Sequence, residues 1–243
     1  MILRRITEHV TTLNWFAVGI DFVIVVVGVF IGIQVSNWNG LRVDRLRADN
    51  YMERIHSDFQ LISDRLKGNI AEFDQALQSV EYIRNEIDAR PSLTGEQASS
   101  FRLALNDIDA SSIPAWRSAT YIEMQSAGVL DLIENARLKQ ALVDYDQRAA
   151  IALTAWGTLI SRQIEFVEPI LFSLIEYGPQ VDVTKGTDVV NALRFDYQRM
   201  RNEPEFRAAL SALARTQSNN RVLQANQLAL ARQVLANLPV ETK

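Results

Sequence analysis

The sequence contains no cysteine, which excludes disulfides, cysteine zinc sites and thiol chemistry. Histidine is almost as scarce, with two residues, His9 and His56. Glu53 and His56 have the Glu-x-x-His spacing of a bundle metal site, but a di-iron bundle needs a second such motif and there is no third histidine. Glu53 and His56 therefore read as a solvated helix face, and His9, beside Arg4 and Arg5, as an interfacial surface residue. No metal and no cofactor is expected. A basic excess is missing too: 25 Lys and Arg stand against 29 Asp and Glu, a net charge of −4. The first 37 residues hold Arg4, Arg5, Glu8 and Asp21, so the rest of the chain also carries −4. That balance argues against a nucleic-acid surface.

Catalytic patterns are equally sparse. No Gly-x-Ser-x-Gly elbow and no Gly-rich phosphate loop occurs. The stretch TKGTD (184–188) is a turn signal only. Acidic residues, as in DLIE and VDYD, fall at helical spacing, and nothing singles out a carboxylate pair for glycoside chemistry. No enzymatic activity is expected.

What the chain does have is one long apolar run, WFAVGIDFVIVVVGVFIGIQV, from Trp15 to Val35. Its polar members are Asp21 and Gln34. About 20 mostly apolar residues cross the hydrocarbon core as a helix, and a lipid-exposed backbone must satisfy its own hydrogen bonds, so helix is forced. Trp15 and Trp38 bracket the run. They lie roughly 34 Å apart at helical rise, a little more than the hydrocarbon thickness, and indoles favour the headgroup level. The run exceeds the apolar core of a signal peptide, and Gln34, Val35, Ser36, Asn37 and Trp38 make a poor cleavage site. Arg4 and Arg5 lack the flanking pattern of a twin-arginine signal. An uncleaved anchor is expected, with a cleaved signal and a buried soluble helix as the weaker alternatives. Residues 150–160, AIALTAWGTLI, are too short for a second span.

Inside the span, Gly28, Gly32 and Ser36 recur every fourth residue, a seam that lets another helix backbone approach closely. Asp21 lies seven residues before Gly28, on nearly the same face. A carboxylate in a span usually faces a partner or water. A homodimer or a membrane-protein partner held through this helix follows as an expectation, beside the lipid bilayer itself. The bland alternatives are a chance pattern and an Asp21 that reaches headgroup water. Gln34, Asn37 and Asn39 form a polar collar around Trp38, read as an interfacial anchor or as a contact with a partner.

Beyond the span the apolar positions Met52, Ile55, Phe59, Ile62, Leu66, Ile70, Phe73, Leu77, Val80, Ile83 and Ile87 are spaced by three or four, one stripe of a long amphipathic helix. Gly40 is its expected bend and Gly68 a weak point. Pro91 ends it, and Thr94 with Gln97 makes a capping box for a helix over 95–108. Residues 109–116 read as a loop. Further helices are predicted over 118–127, from near Leu130 to Val167 with a kink or restart at Pro169, over 189–201, and from Pro204 to Asn237. Residues 178–188 read as irregular. The fold class is all-α: one N-terminal transmembrane helix followed by a long-helix antiparallel bundle. Residues 1–14 form a short tail, 15–38 the membrane helix, 39–238 the bundle on a helical stalk and 239–243 a second tail.

The stretch DFVIVVVGVFIGIQVSNWNG resembles the amino-terminal signature of a widespread bacterial family of uncharacterised single-span proteins. In that signature the span ends in Leu/Ile-Gln-x-Asn/Ser-Asn-Trp-Asn, matched by Ile33, Gln34, Ser36, Asn37, Trp38 and Asn39. Gly40 stands where the family usually has an acidic residue. Residues 120–146, TYIEMQSAGVLDLIENARLKQALVDYD, are similar to a second island of the family, with Thr-Tyr and Ser-x-Gly before a Leu-x-Leu-Ile and a helix. The resemblance implies a membrane anchor and a helical domain and brings no activity with it.

Function therefore reads as interaction, scaffolding or signal relay from a bacterial inner membrane. A ligand-sensing bundle and a membrane-tethered hydrolase are the rivals. Positive-inside counting over Arg42, Arg45, Arg47 and Arg54 slightly favours a cytoplasmic bundle. A short basic tail before a single uncleaved anchor commonly stays inside, and this consideration tips the expectation to the periplasm.

Overall fold

The computed structural model describes residues 15–178 and 192–239. The tail 1–14 with His9, the irregular segment from 179 on, residues 189–191 and the last four residues lie outside the described residues. The fold is all-α: seven α-helices and two short strands among the described residues. Helix α1 runs Trp15–Ala89, followed by α2 (Gly95–Asp107), α3 (Ala119–Ala127), a single 3₁₀ turn (Leu130–Leu132) and α4 (Ala136–Phe166). Then come α5 (Glu168–Leu174), β1 (Ile175–Tyr177), β2 (Ala192–Phe195), α6 (Tyr197–Asn202) and α7 (Pro204–Asn237). The chain divides into two compact units, residues 1–51 and 52–243.

In the first unit every residue of α1 from Val18 to Arg47 is exposed. The apolar part of α1 is long enough to cross a membrane, and none of its most apolar stretch is buried. Gly40 and Gly68 do not interrupt the helix. A single glycine costs a helix interior only about 1 kcal/mol relative to alanine, which neighbouring turns absorb.

The second unit holds the core. Buried in α1 are Ile55, Phe59, Ile62, Leu66, Asn69, Phe73, Ala76, Val80, Ile83 and Ile87, a stripe spaced four, three, four, three, with Ser63 and Ser79 buried beside it. The expected stripe is corrected at two places: Ile70 and Leu77 are only half-buried, and Asn69 and Ala76 take the interior positions beside them. A hydrophobicity criterion picks the larger apolar neighbour. The packing instead keeps a 3.5-residue repeat and needs an amide at 69. Helix α7 shows the same repeat at Phe206, Leu210, Leu213, Gln217, Asn220, Gln224, Gln227, Ala231 and Val234, and Leu238 continues it one residue past the helix end, all buried. The two helices run antiparallel, because Asn69 bonds Gln224, Asp74 bonds Arg221, Arg84 bonds Ser211 and Asp88 bonds Arg207.

Termini follow local chemistry. Thr94 N–H donates to Gln97 Oε1 at 2.9 Å at the start of α2. Tyr197 Oη donates to the Glu86 and Arg90 carbonyls, 2.9 and 3.0 Å, and so satisfies the end of α1. Gly128 ends α3 at φ +68°, the left-handed conformation that side chains resist. The helix expected from Leu130 starts later, at Ala136. Leu130–Leu132 is a 3₁₀ turn, and the Asn135 side chain accepts from the N–H groups of Arg137 and Leu138 to cap α4. Pro169 sits in the first turn of α5 and makes a restart rather than a kink.

The helix expected over 189–201 is also corrected. Ala192–Phe195 is a strand paired antiparallel with Ile175–Tyr177, with Ile175 opposite Phe195. Phe195 packs on Phe101 at 5.2 Å between ring centroids. Helix begins only after Asp196, whose carboxylate accepts from Arg199 N–H at 3.0 Å. That cap stabilises a non-helical residue at 196, which a through-going helix would forbid.

Candidate functional site

Apart from Trp15, the residues singled out in the apolar helix are on its surface. Asp21, Gly28, Gly32 and Ser36 are exposed, as are Gln34, Asn37, Trp38 and Asn39. A Cβ added at Gly28 or Gly32 would meet nothing within 4 Å. Trp15 opens the helix, and its side chain lies outside the described residues. Glu53 and His56 sit on the exposed side of α1, where a ring nitrogen of His56 is 3.3 Å from Gln60 Nε2.

The most organised polar chemistry is elsewhere, inside the bundle. Residues 110–118 have no regular structure, yet they run beside buried side chains, so their carbonyls need donors. The helices supply them. Gln217 Nε2 donates to Ile108 O at 3.1 Å, Gln224 Nε2 to Ser112 O at 2.9 Å and Gln227 Nε2 to Ala115 O at 2.7 Å. Asn69 Nδ2 donates to Ile113 O at 2.8 Å and to Gln224 Oε1 at 2.7 Å, tying α1 to α7. From α4, Tyr145 Oη donates to Trp116 O at 2.9 Å and accepts from Gln227. Burial pushes the Tyr145 phenol far above its ordinary range, so it remains a neutral donor. Its ring meets Phe59 edge-on at 4.8 Å.

Asp58 of α1 holds the far end of the loop. Its carboxylate accepts from Ser118 Oγ at 2.7 Å and from Thr120 N–H at 3.0 Å. Ser118 Oγ in turn accepts from Tyr121 N–H at 3.1 Å. Arg117 and Asp146 form a two-pronged pair beside it, and the guanidinium of Arg65 lies 4.9 Å over the Trp116 ring. The loop is thus fixed at both ends and along its length.

Sequence reasoning missed this ladder. Gln217, Asn220, Gln224 and Gln227 continue the apolar phase set by Leu210 and Leu213 and resumed by Ala231 and Val234. Amides on that phase over nearly three turns are the signal. They mark a helix face that packs against backbone instead of side chains. Asn220 is 1% exposed, and neither of its amide atoms has a hydrogen-bond partner among the described residues.

A second cluster lies where the loop leaves α2. Asp109 accepts from Nε2 of Gln163, a buried residue near the end of α4. Asp109 is exposed as a residue, but its carboxyl group is crowded. Desolvation, and then the charge of Glu168, lift it to about 6, against the favourable bond from Gln163. Tyr177 feels the same surroundings and is pushed up to about 12, first by burial and then by Asp109 and Glu168. Oε1 of Gln163 is buried and has no partner among the described residues.

An open cleft of about 630 Å³ lies along β1 and β2, lined by Phe172, Glu176, Arg194, Asp196 and Arg199 among others. Its charges are matched within the cleft or beside it, Arg199 with Glu203 at 2.7 Å and Arg194 with Glu176 at 3.9 Å. Among the described residues no group of three or more His, Asp or Glu side chains is placed to hold a metal ion. No family model matches the chain, no curated protein matches it and no solved structure matches it.

Proposed function

We propose that this chain is a single-pass protein of a bacterial inner membrane. Its helical domain, on the periplasmic side, serves as an interaction or scaffolding module. One observation carries the reading: α1 is apolar and exposed all round from Phe22 to Val35, while residues 52–239 bury a core of their own. In water, eleven large apolar side chains held this way would cost on the order of 1.5–3 kcal/mol each relative to burial, so the segment calls for lipid. The Gln34 to Asn39 collar suits the headgroup level at one end. The clamped 110–118 loop gives the domain a fixed surface segment, with Ile113 and Trp116 exposed on it, which suits partner binding better than turnover. Asp109 lies at the surface rather than in a deep cleft, so its raised carboxyl does not favour the hydrolase reading.

In-membrane cross-linking followed by affinity capture of the detergent-solubilised protein tests the proposal. A discrete protein recovered at near-equal abundance, and lost when Trp116 is replaced by Glu, is the expected result. Recovery of lipid and this chain alone would overturn the scaffold reading and leave a tethered domain.

A further inference from the structure

We propose that one face of α1, where the helix leaves its apolar segment, binds the headgroup of an anionic phospholipid through Trp38, Arg42 and Arg45. The inference rests on the membrane reading of α1 and names the class of lipid that this end of the span selects. At 100° per residue, Arg42 and Arg45 lie within about 40° of Trp38 around the helix, and Gln34, one turn earlier, falls in the same arc. All four side chains are exposed, Trp38 to 67%. Each carries N–H groups that can donate to an oxyanion. The helix thus presents an amide, an indole and two guanidinium groups in one line.

Charge sets this face apart from the rest of the helix. Between Asn39 and Arg47 the chain has three arginines and one carboxylate, Asp44. Asp44 points about 120° away from Trp38, and its partner is Arg47, at 4.0 Å on the far side of the helix. Among the described residues neither Arg42 nor Arg45 forms an ion pair. Depth then selects the anion. Arg42 and Arg45 stand about 6 and 10 Å beyond Trp38 along the axis, and a headgroup layer is about 5–7 Å thick on each side of the bilayer. With the Trp38 indole at the inner edge of that layer, Arg42 lies among the phosphates, and Arg45 reaches back to them as long cationic side chains near the ends of spans do. Asp49 shares the face but lies about 16 Å beyond Trp38, past the headgroups. A guanidinium takes two phosphate oxygens at once. A zwitterionic headgroup brings an ammonium that two guanidinium groups repel, whereas a headgroup of net negative charge leaves its phosphate to them. An arginine close to an anionic surface favours binding by about fivefold, so the pair should enrich such a lipid on the order of tenfold over a neutral one at low salt.

The test uses the full chain reconstituted into vesicles of equal parts phosphatidylglycerol and phosphatidylcholine. The vesicles are washed with alkaline carbonate and extracted into mild detergent at low salt, and native mass spectrometry counts the phospholipids that stay bound. Phosphatidylglycerol should be retained on the order of tenfold over phosphatidylcholine. Arg42→Gln with Arg45→Gln should bring the ratio close to one. These are exposed positions, and the far-ultraviolet circular dichroism of the variant should match that of the parent chain. Arg47→Gln removes the same charge from the opposite face and should leave most of the preference in place. Equal retention of the two lipids by the inserted parent chain would overturn the proposal and leave the anchor standing. An equal loss from Arg47→Gln would overturn it too, by making the preference a matter of total charge. Release of the parent chain by the carbonate wash would remove the membrane reading itself and the proposal with it.

Discussion

Residue by residue, the polar interior of the bundle is not uniform in value. Gln224 both donates to Ser112 O and accepts from Asn69, and it is fully buried. Gln224→Leu would leave the Ser112 carbonyl and one of the two Asn69 Nδ2–H groups unpaired inside the protein. We expect a loss of about 1–3 kcal/mol, read from the urea midpoint of the full chain in detergent. Asp74→Ala removes a pair with Arg221 in which both side chains are 41% exposed, and should cost less than about 1 kcal/mol. Equal losses from the two variants would show that the ladder is not what holds the loop. Asp109 gives a pH signature of definite sign. Its carboxyl is raised to about 6 in the folded chain from the ordinary 3.8, so the folded state binds the proton more tightly. The stability it contributes is complete below the unfolded value and is lost as pH rises through 6. Asp109→Asn should flatten that slope between pH 4 and 6, measured in EDTA. At pH 7 it should stabilise the protein by on the order of 1 kcal/mol or less, because the exposed residue is screened by solvent. An unchanged slope would place the titration on another group.

Among the elements, α1 and α7 show how a strict 3.5-residue repeat can carry different chemistry along its length. Helix α7 and the Ile55–Ile87 part of α1 bury apolar residues at both ends. Both present amides in the middle, Asn69 on one and the run from Gln217 to Gln227 on the other, where the 110–118 loop lies against them. A polar residue on such a seam fixes register, since sliding either helix by a turn would strand every amide at once. The apolar half of α1 raises a separate question. Gly28, Gly32 and Ser36 are exposed on one stripe, and a Cβ at either glycine meets nothing within 4 Å. If a second helix uses that stripe in lipid, Gly32→Ile forces the backbones apart. Val27→Ile, about 100° around the helix from Gly28, adds bulk to a different face. Association in a membrane reporter assay should fall several-fold for Gly32→Ile alone, since interhelical contacts in lipid are worth about 1–2 kcal/mol. The same behaviour from both variants would make the stripe a chance pattern.

For the whole molecule, the absence of cysteine turns an exclusion into a tool. Ser57 is an exposed residue of α1 beyond the apolar segment, so Ser57→Cys introduces the one thiol of the chain. In intact cells with a permeabilised outer membrane, a membrane-impermeant maleimide should label it without lysis. Labelling only after lysis would move the bundle to the cytoplasm and give the positive-inside count of Arg42, Arg45, Arg47 and Arg54 the deciding weight.

The sequence by itself determined the all-α class, the single apolar helix, the capping of α2 by Thr94, the loop before α3 and a break of some kind at Pro169. Each depends on a few neighbouring residues and the backbone rules they obey, so each is legible locally. Tertiary structure decided the rest. Asn69 and Ala76 face inward in place of Ile70 and Leu77 because the seam with α7 sets the phase. Residues 192–195 became a strand because β1, distant in sequence, offered a partner and Asp196 capped what followed. The amides of α7 are buried because a length of irregular backbone needed donors, and nothing near Gln217 or Gln227 in sequence states that need. The contact of Gln163 with Asp109 depends on how the ends of α2 and α4 pack, a relation between residues 54 apart that composition and spacing do not encode.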